Sequence, residues 1–104
     1  MNEATTKTQL VQAAWIGDAV LSLYAREKIL REDGALDGDK CVRMTSNQFL
    51  ATIGEPTKVE ASVGRIYSDL GLAAAFAWIE EHLVPMFERQ EVNRLRKAGM
   101  RKPD

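Results

Sequence analysis

A glycine and an aspartate stand side by side within an apolar segment near the start of the chain. Residues 13–21 read AAWIGDAVL, and Gly17 is followed directly by Asp18. Both residue types are unfavourable in a helix interior, glycine by about 1 kcal/mol relative to alanine. Two interpretations are open. In the first, Gly17 lets another helix approach closely and Asp18 places a functional carboxylate in the cleft beside that contact. In the second, Gly17 is a packing residue and Asp18 is simply solvated.

The single cysteine and the single histidine of the chain do not form a recognisable metal site. Cys41 has no CxxC or Cys/His partner set, which excludes a disulfide within the chain and argues against structural zinc. We expect Cys41 to be a buried small hydrophobic residue and His82 to be structural rather than a general base. Trp78 is expected to serve ordinary packing.

Length, composition and charge limit the classes of protein that fit. The chain has 104 residues, of which 45% are hydrophobic, and a formal net charge of −1. We expect one domain with one core over residues 1–104, and any surface for nucleic acid must be local. The first residues are polar and unlike a signal peptide, and no apolar stretch reaches the roughly 20 residues of a membrane helix. A soluble, cytoplasmic protein is therefore expected.

Apolar residues recur at three- and four-residue spacing along most of the chain, which predicts an all-α fold. The first helix is predicted from Thr5 to about Arg31, with Thr5 or Thr6 as its N-terminal cap. A polar turn with two glycines follows over residues 32–39.

A second helix is predicted over residues 40–53, unless a cap within residues 45–47 splits it in two. Its residues expected to face the core are Val42, Phe49, Leu50 and Ile53.

The second half of the chain contains two further predicted helices. Gly54 suits a helix stop and Pro56 a helix start, so a third helix is predicted from about Pro56 to Leu70. After Gly71, residues 72–87 predict a fourth helix that Pro85 should kink or terminate.

Residues 88–104 form a basic C-terminal extension, which either continues the fourth helix or frays, with fraying favoured beyond Gly99. Its cations are Arg89, Arg94, Arg96, Lys97, Arg101 and Lys102.

Two of these helical segments resemble motifs of the ribonuclease III domain family. Residues 16–21, IGDAVL, are similar to the LGDAVLEL-type string of the family's signature helix. Residues 59–69, VEASVGRIYSD, resemble its FEALIGAIYLD-type helix, and residues 81–85, EHLVP, resemble the helix that follows. The matching stretches cover most of residues 10–87. The closest likeness is the short Mini-III branch, which lacks a double-stranded-RNA-binding domain.

The resemblance implies an active site built from carboxylates on two helices. Family members carry an i, i+4 pair on the signature helix and an i, i+3 pair on the later helix, and each spacing lies on one helix face. Here Asp18 and Glu60 occupy the second position of each pair, whereas Ala14 and Thr57 occupy the first. The Mini-III branch shows the same departures and cleaves duplex RNA. Asp18 and Glu60 are thus the implied catalytic and metal-binding residues, with Mg²⁺ or Mn²⁺ as the cofactor.

The resemblance also implies a homodimer that hydrolyses phosphodiester bonds of double-stranded RNA, leaving 5′-phosphate and 3′-hydroxyl ends. In the family, an aromatic residue at the position of Trp15 enters a pocket of the other subunit. Trp15 and Gly17 are therefore expected at the dimer interface, and a Trp15 buried in its own chain is the alternative. The candidate RNA-binding residues are Lys40, Arg43, Lys58, Arg65, Arg94, Arg96 and Lys97.

Two other classes of function stay open. A catalytically inactive RNA-binding or assembly module of the same fold would keep Asp18 and Glu60 as polar residues at a dimer interface. A helical dimer with a protein partner only would leave the Gly17–Asp18 pair and Glu60 unexplained. The segment between Asn47 and Thr57 is shorter than in the Mini-III branch, and the basic Gly-Arg-Asn-type element of that branch is not visible. Neither a small-molecule cofactor nor a membrane partner is expected.

Overall fold

The protein is all-α. A computed structural model describes the backbone from Glu3 to Arg101 and the side chains of residues 6–99. Its helices are α1 (Glu3–Asp33), α2 (Gly38–Thr45), α3 (Asn47–Leu50), α4 (Pro56–Leu70), α5 (Leu72–His82) and α6 (Val84–Arg101). Helix α1 begins at Glu3, before both threonines that we expected as its cap.

Side-chain caps set the boundaries of the short middle helices. Asp37 accepts a hydrogen bond from the Lys40 backbone N–H at 3.0 Å and starts α2. Ser46 accepts one from the Phe49 N–H at 3.1 Å and starts α3. The predicted second helix is therefore split at Ser46, as the capping alternative predicted, because a capping serine has an extended rather than a helical backbone.

The inward face of this region differs from our prediction at one residue. Phe49 and Leu50 are buried and Ile53 is partly buried, but Val42 is 63% exposed. Helix α2 instead turns Met44 toward the core. The prediction for Val42 was wrong because residues before and after Ser46 belong to two helices and do not share one continuous face.

Helix α4 has the predicted bounds, Pro56–Leu70. The Glu55 carboxylate accepts hydrogen bonds from the N–H groups of Thr57 (3.1 Å) and Lys58 (3.0 Å). Gly71, with φ of 96°, separates α4 from α5. This left-handed conformation favours glycine.

The predicted fourth helix is interrupted near Pro85, as expected, although the break comes earlier than the proline. Helix α5 ends at His82, Leu83 is the break, and Pro85 lies in the first turn of α6. A proline is tolerated there because the N–H groups of the first turn have no helical partner. The basic extension continues as part of α6 to Arg101, and Lys102 lies outside the described residues.

The core lies where α1, α4 and α5 meet and is closed by α2, α3 and the start of α6. Its fully buried side chains include Leu21, Met44, Leu50, Val63, Ile79, Leu83 and Phe87. The rings of Phe49 and Phe87 meet edge to face at 5.7 Å. This contact joins α3 to α6.

Beyond Glu91, helix α6 extends away from the core. All described side chains from Val92 to Gly99 are exposed. The radius of gyration of 15.6 Å exceeds the about 13 Å expected of a compact domain of this size. Among the described residues, no helix is both long enough and apolar enough to cross a membrane.

Candidate functional site

Helices α1 and α4 approach most closely at two glycines. A Cβ atom on Gly17 would overlap the carbonyl oxygen of Glu60 and lie 2.9 Å from the backbone nitrogen of Gly64. A Cβ atom on Gly64 would overlap the carbonyl oxygen of Ala13. Only glycine fits at either position, so Gly17 allows the close helix approach that both interpretations of the Gly17–Asp18 pair require. Our placement of Gly17 at a dimer interface was wrong, because Gly17 is buried between two helices of one chain.

This close approach brings Asp18 and Glu60 together from different helices. Their side chains are close enough to interact electrostatically, with Asp18 exposed and Glu60 partly buried. Burial, as the largest cause, together with the hydrogen bond to Asp18 and the charges of Asp18 and Glu55, raises the pKa of Glu60 to about 7. Near neutral pH the pair therefore holds a proton that a cation can replace.

The chemistry of the pair fits a weak site for a hard divalent cation. Carboxylate oxygens are the ligands that Mg²⁺ prefers, and Mg²⁺ keeps several water ligands where few protein groups are offered. Within the described residues, no group of three or more Asp, Glu, His or Cys side chains that could hold a metal occurs. Of the acidic side chains that the structure describes, Asp18 and Glu60 would therefore hold the ion as a pair, because Glu55 is already engaged as the cap of α4.

The positions where the resemblance places the missing carboxylates flank this pair. Ala14 is buried on α1, four residues before Asp18. Thr57 is partly buried in the first turn of α4, three residues before Glu60. Neither side chain carries a charge, so the site has half of the acidic groups that a ribonuclease III-type site would require.

Trp15 lies on the same flank of α1 as Asp18, and its side chain is 77% exposed. Val11, one turn earlier on that flank, is exposed as well. The alternative of a core tryptophan is therefore wrong. A large aromatic surface in water beside the carboxylate pair is typical of an interaction surface.

The other singled-out side chains lie in ordinary structural settings. Trp78 is partly buried against the core, and its ring contacts the ring of His82 at 4.6 Å between centroids. His82 is exposed beside Glu81. Cys41 is partly buried rather than fully buried as we expected, because it packs at the edge of the core cluster.

Several cations predicted to contact RNA form ion pairs within the chain. Lys40 pairs with Asp33 at 2.9 Å, and Arg43 donates two hydrogen bonds to Glu91 at 2.8 and 2.9 Å. Arg94 approaches the same Glu91 at 3.4 Å.

Four of the predicted cations have no ion pair within the part of the chain that the structure describes. They are exposed, and they are Lys58, Arg65, Arg96 and Lys97.

Sequence reasoning missed the roles of Gly64 and Glu55. The signal for Gly64 was present, because it is a glycine in a helix interior, the same anomaly that singled out Gly17. The cap at Glu55 was not indicated, because Ser, Thr, Asp and Asn are the usual N-terminal caps.

Comparisons of the chain with protein-family models, with curated proteins and with solved structures give no match. No family is therefore shown for this chain, and the resemblance to ribonuclease III domains remains an expectation from residues 16–21, 59–69 and 81–85.

Proposed function

We propose that this protein is a Mg²⁺-dependent endoribonuclease that hydrolyses double-stranded RNA as a homodimer. The observation that carries the proposal is the meeting of Asp18 and Glu60 at the α1–α4 crossing, which two glycines make possible. Two carboxylates from distant parts of the chain repel each other when both are charged, and a divalent cation removes that repulsion.

Asp18 and Glu60 would have different roles in the proposed reaction. Asp18 and Glu60 hold the cation, which when bound supplies charge neutralisation at the attacked phosphate and lowers the pKa of a bound water. Asp18, the more exposed of the two, faces solvent, where a large substrate can approach. Glu60 is held in place because its own backbone carbonyl lies against Gly17.

The binding of the duplex would depend on exposed cations. Lys58 and Arg65 on α4 and Arg96 on α6 have no ion pair within the described residues. Cations of this kind can bind phosphates and release counterions, so binding should weaken as the salt concentration rises. Lys40 and Arg43 contribute less, because their charges are already compensated.

The testing experiment is a cleavage assay on long duplex RNA, with single-stranded RNA and DNA as substrate controls. Asp18→Asn and Glu60→Gln keep the shape of each side chain and remove its charge. Each should lower Mg²⁺-dependent cleavage by roughly a hundredfold or more, and the double variant should fall no further, because both act through one ion. The matched control is Asp69→Asn, an exposed acid on the opposite face of α4.

The mechanism would be contradicted by cleavage that needs no divalent ion or that survives both substitutions. Binding of the duplex should persist or tighten in the variants, because a carboxylate beside the phosphate has been removed.

A catalytically inactive RNA-binding or assembly module is the second candidate. It is favoured by the uncharged Ala14 and Thr57 and by the small number of acidic groups at the site. If the protein binds duplex RNA but cuts none with Mg²⁺ or Mn²⁺, this second function replaces the first.

A further inference from the structure

A groove lies between α6 and the α2–α3 pair, and none of the steps proposed above uses it. Its volume is about 630 Å³. Val42 on α2, Phe49 on α3 and Phe87 on α6 line its apolar part. The two phenylalanine rings fix each other edge to face at 5.7 Å, while Val42 is 63% exposed. Both rings are buried and form the floor of the groove, so Val42 is the one of these three apolar side chains that is open to solvent.

The charged rim of the groove is unbalanced. Arg43, Glu91, Arg94 and Lys97 line it. The guanidinium group of Arg43 donates hydrogen bonds to both carboxylate oxygens of Glu91. Arg94 lies 3.4 Å from the same carboxylate, so two arginines share one acid. Lys97 has no ion pair within the described residues. The rim therefore has a net excess of two positive charges, because Arg43 and Arg94 share the single acid Glu91 and Lys97 has no ion pair in the described region.

Arg94 and Lys97 lie along the α6 side of the groove. Arg94 and Lys97 are three residues apart on α6, so they lie about one turn apart on the same helix face. Arg96, by contrast, is not part of the groove, since its position on α6 is turned to another face. The helix thus divides the basic extension, which the sequence presented as a single surface, into a groove face and an outer face.

We propose that this groove docks an amphipathic, acidic helix of a protein partner. Apolar side chains of the partner would cover the exposed Val42 above the buried Phe49–Phe87 floor, and acidic side chains one turn apart would meet Arg94 and Lys97. The proposal follows from charge complementarity and from the shape of the walls, because a groove between helices accepts the apolar face of a further helix. It does not depend on the proposed nuclease activity.

Duplex RNA fits this groove less well than such a helix. RNA binding relies on phosphate and ribose contacts, whereas the exposed Val42 gains free energy only when apolar side chains cover it. The outer cations Lys58, Arg65 and Arg96 are free to serve RNA without the groove.

The test uses a fluorescently labelled synthetic peptide that forms an amphipathic helix, with leucines on one face and glutamates beside them. A second peptide carries lysines in place of the glutamates. Anisotropy titrations should show the acidic peptide binding at least about tenfold more tightly than the basic one. Arg94→Glu should weaken the acidic peptide about tenfold or more, and Val42→Asp should weaken it by a similar factor.

The control variant is Arg65→Glu, an exposed charge reversal on α4 that lies outside the groove. It should leave the affinity for the acidic peptide unchanged. Val42 is exposed, so Val42→Asp should keep the helical content, which circular dichroism checks.

Three outcomes would overturn the proposal. The first is equal affinity for the two peptides, or no binding of the acidic one. The second is duplex RNA displacing the peptide and itself losing affinity in both Arg94→Glu and Val42→Asp, which would make the groove an RNA surface. The third is a change of oligomeric state in Val42→Asp by analytical ultracentrifugation, which would show that a second copy of the chain covers the groove.

Discussion

At the scale of single residues, the contact between Gly17 and Gly64 sets the distance between the two carboxylates. Gly64→Ala would place a methyl group on the carbonyl oxygen of Ala13. Because the obstacle is backbone, α1 and α4 must move apart, and we expect the free energy of unfolding to fall by about 2–4 kcal/mol. Urea denaturation measures the loss.

The matched control for this change is Gly99→Ala, since nothing lies within 4 Å of a Cβ at Gly99. Gly99 is helical and exposed, so alanine there should be neutral or stabilise the protein by up to about 1 kcal/mol. Equal stability of the Gly64→Ala and wild-type proteins would show that α1 and α4 are far enough apart to accept a methyl group at Gly64.

The raised pKa of Glu60 has a consequence for stability that does not require any RNA. Unfolded, Glu60 titrates near its ordinary value of 4.5, and folded, near 7. Below both pKa values, the Glu60 carboxyl is neutral in the folded and the unfolded state and does not lower the free energy of unfolding. As the pH rises from about 4.5 to about 7, the folded state loses stability relative to the unfolded state.

Glu60→Gln removes the loss of stability that ionisation of Glu60 causes. Without divalent ions, the variant should be more stable than the wild type at pH 8, by roughly 1 kcal/mol after screening by solvent at this partly exposed site. The difference should vanish near pH 4. Thermal unfolding in EDTA across this pH range measures it, and a gain that is the same at every pH would mean that ionisation of Glu60 is not the cause.

Thr57→Asp tests whether the site gains from one of its missing carboxylates. The new group would lie three residues before Glu60 on the same face of α4, in the first turn, where an acid is favourable. The affinity for Mg²⁺ should rise about tenfold, as measured by calorimetry. Ser62→Asp is the control, because residues two apart on a helix do not face each other. Similar gains in both variants would indicate a general charge effect.

At the scale of elements, α6 is held to α1 by a buried lysine. The Lys28 side chain is 6% exposed and pairs with Glu32 at 2.6 Å and with Glu88 of α6 at 2.7 Å. Burial opposes the charged form of Lys28, but the two glutamates raise its pKa above the ordinary value. The ion pair between Lys28 and Glu88 therefore links α1 to α6.

Lys28→Met keeps the apolar stem and removes both ion pairs. We expect a loss of about 1–2 kcal/mol, because the two glutamates left behind are half exposed and can be hydrated. Amide hydrogen exchange should rise at the start of α6 more than in α4. Lys40→Met, which breaks the more exposed pair with Asp33, should cost less than about 0.5 kcal/mol. Equal losses of stability in Lys28→Met and Lys40→Met would contradict the role of Lys28 in holding α6 to α1.

At the scale of the whole molecule, the exposed apolar flank of α1 is the basis for expecting a two-fold dimer. Trp15→Glu should turn a dimer into a monomer while the helical content stays the same, because the side chain is outside the core. Sedimentation at micromolar concentration measures the change. Leu95→Glu, on the exposed end of α6, is the control and should keep the dimer. A monomeric wild-type protein would contradict the proposed homodimer.

The sequence by itself determined the helical class and the most regular boundaries. The spacing of apolar residues predicted an all-α fold, and Gly54 and Pro56 predicted where α4 begins, because helix stops and first-turn prolines act locally. Gly17 beside Asp18 also indicated a close helix approach. These features depend on a few neighbouring residues, so they can be read without knowledge of the rest of the chain.

Only the tertiary structure decided which distant groups meet. Periodicity marks the apolar face of a helix but does not name what covers it, so the exposure of Val42 and Trp15 became clear only from the packing. The same holds for charges: Arg43 is compensated by Glu91 from another helix, while Lys97 has no such partner in the described region. The meeting of Asp18 with Glu60 depends on two glycines far apart in the chain, because the distance between two helices is set by the side chains of both.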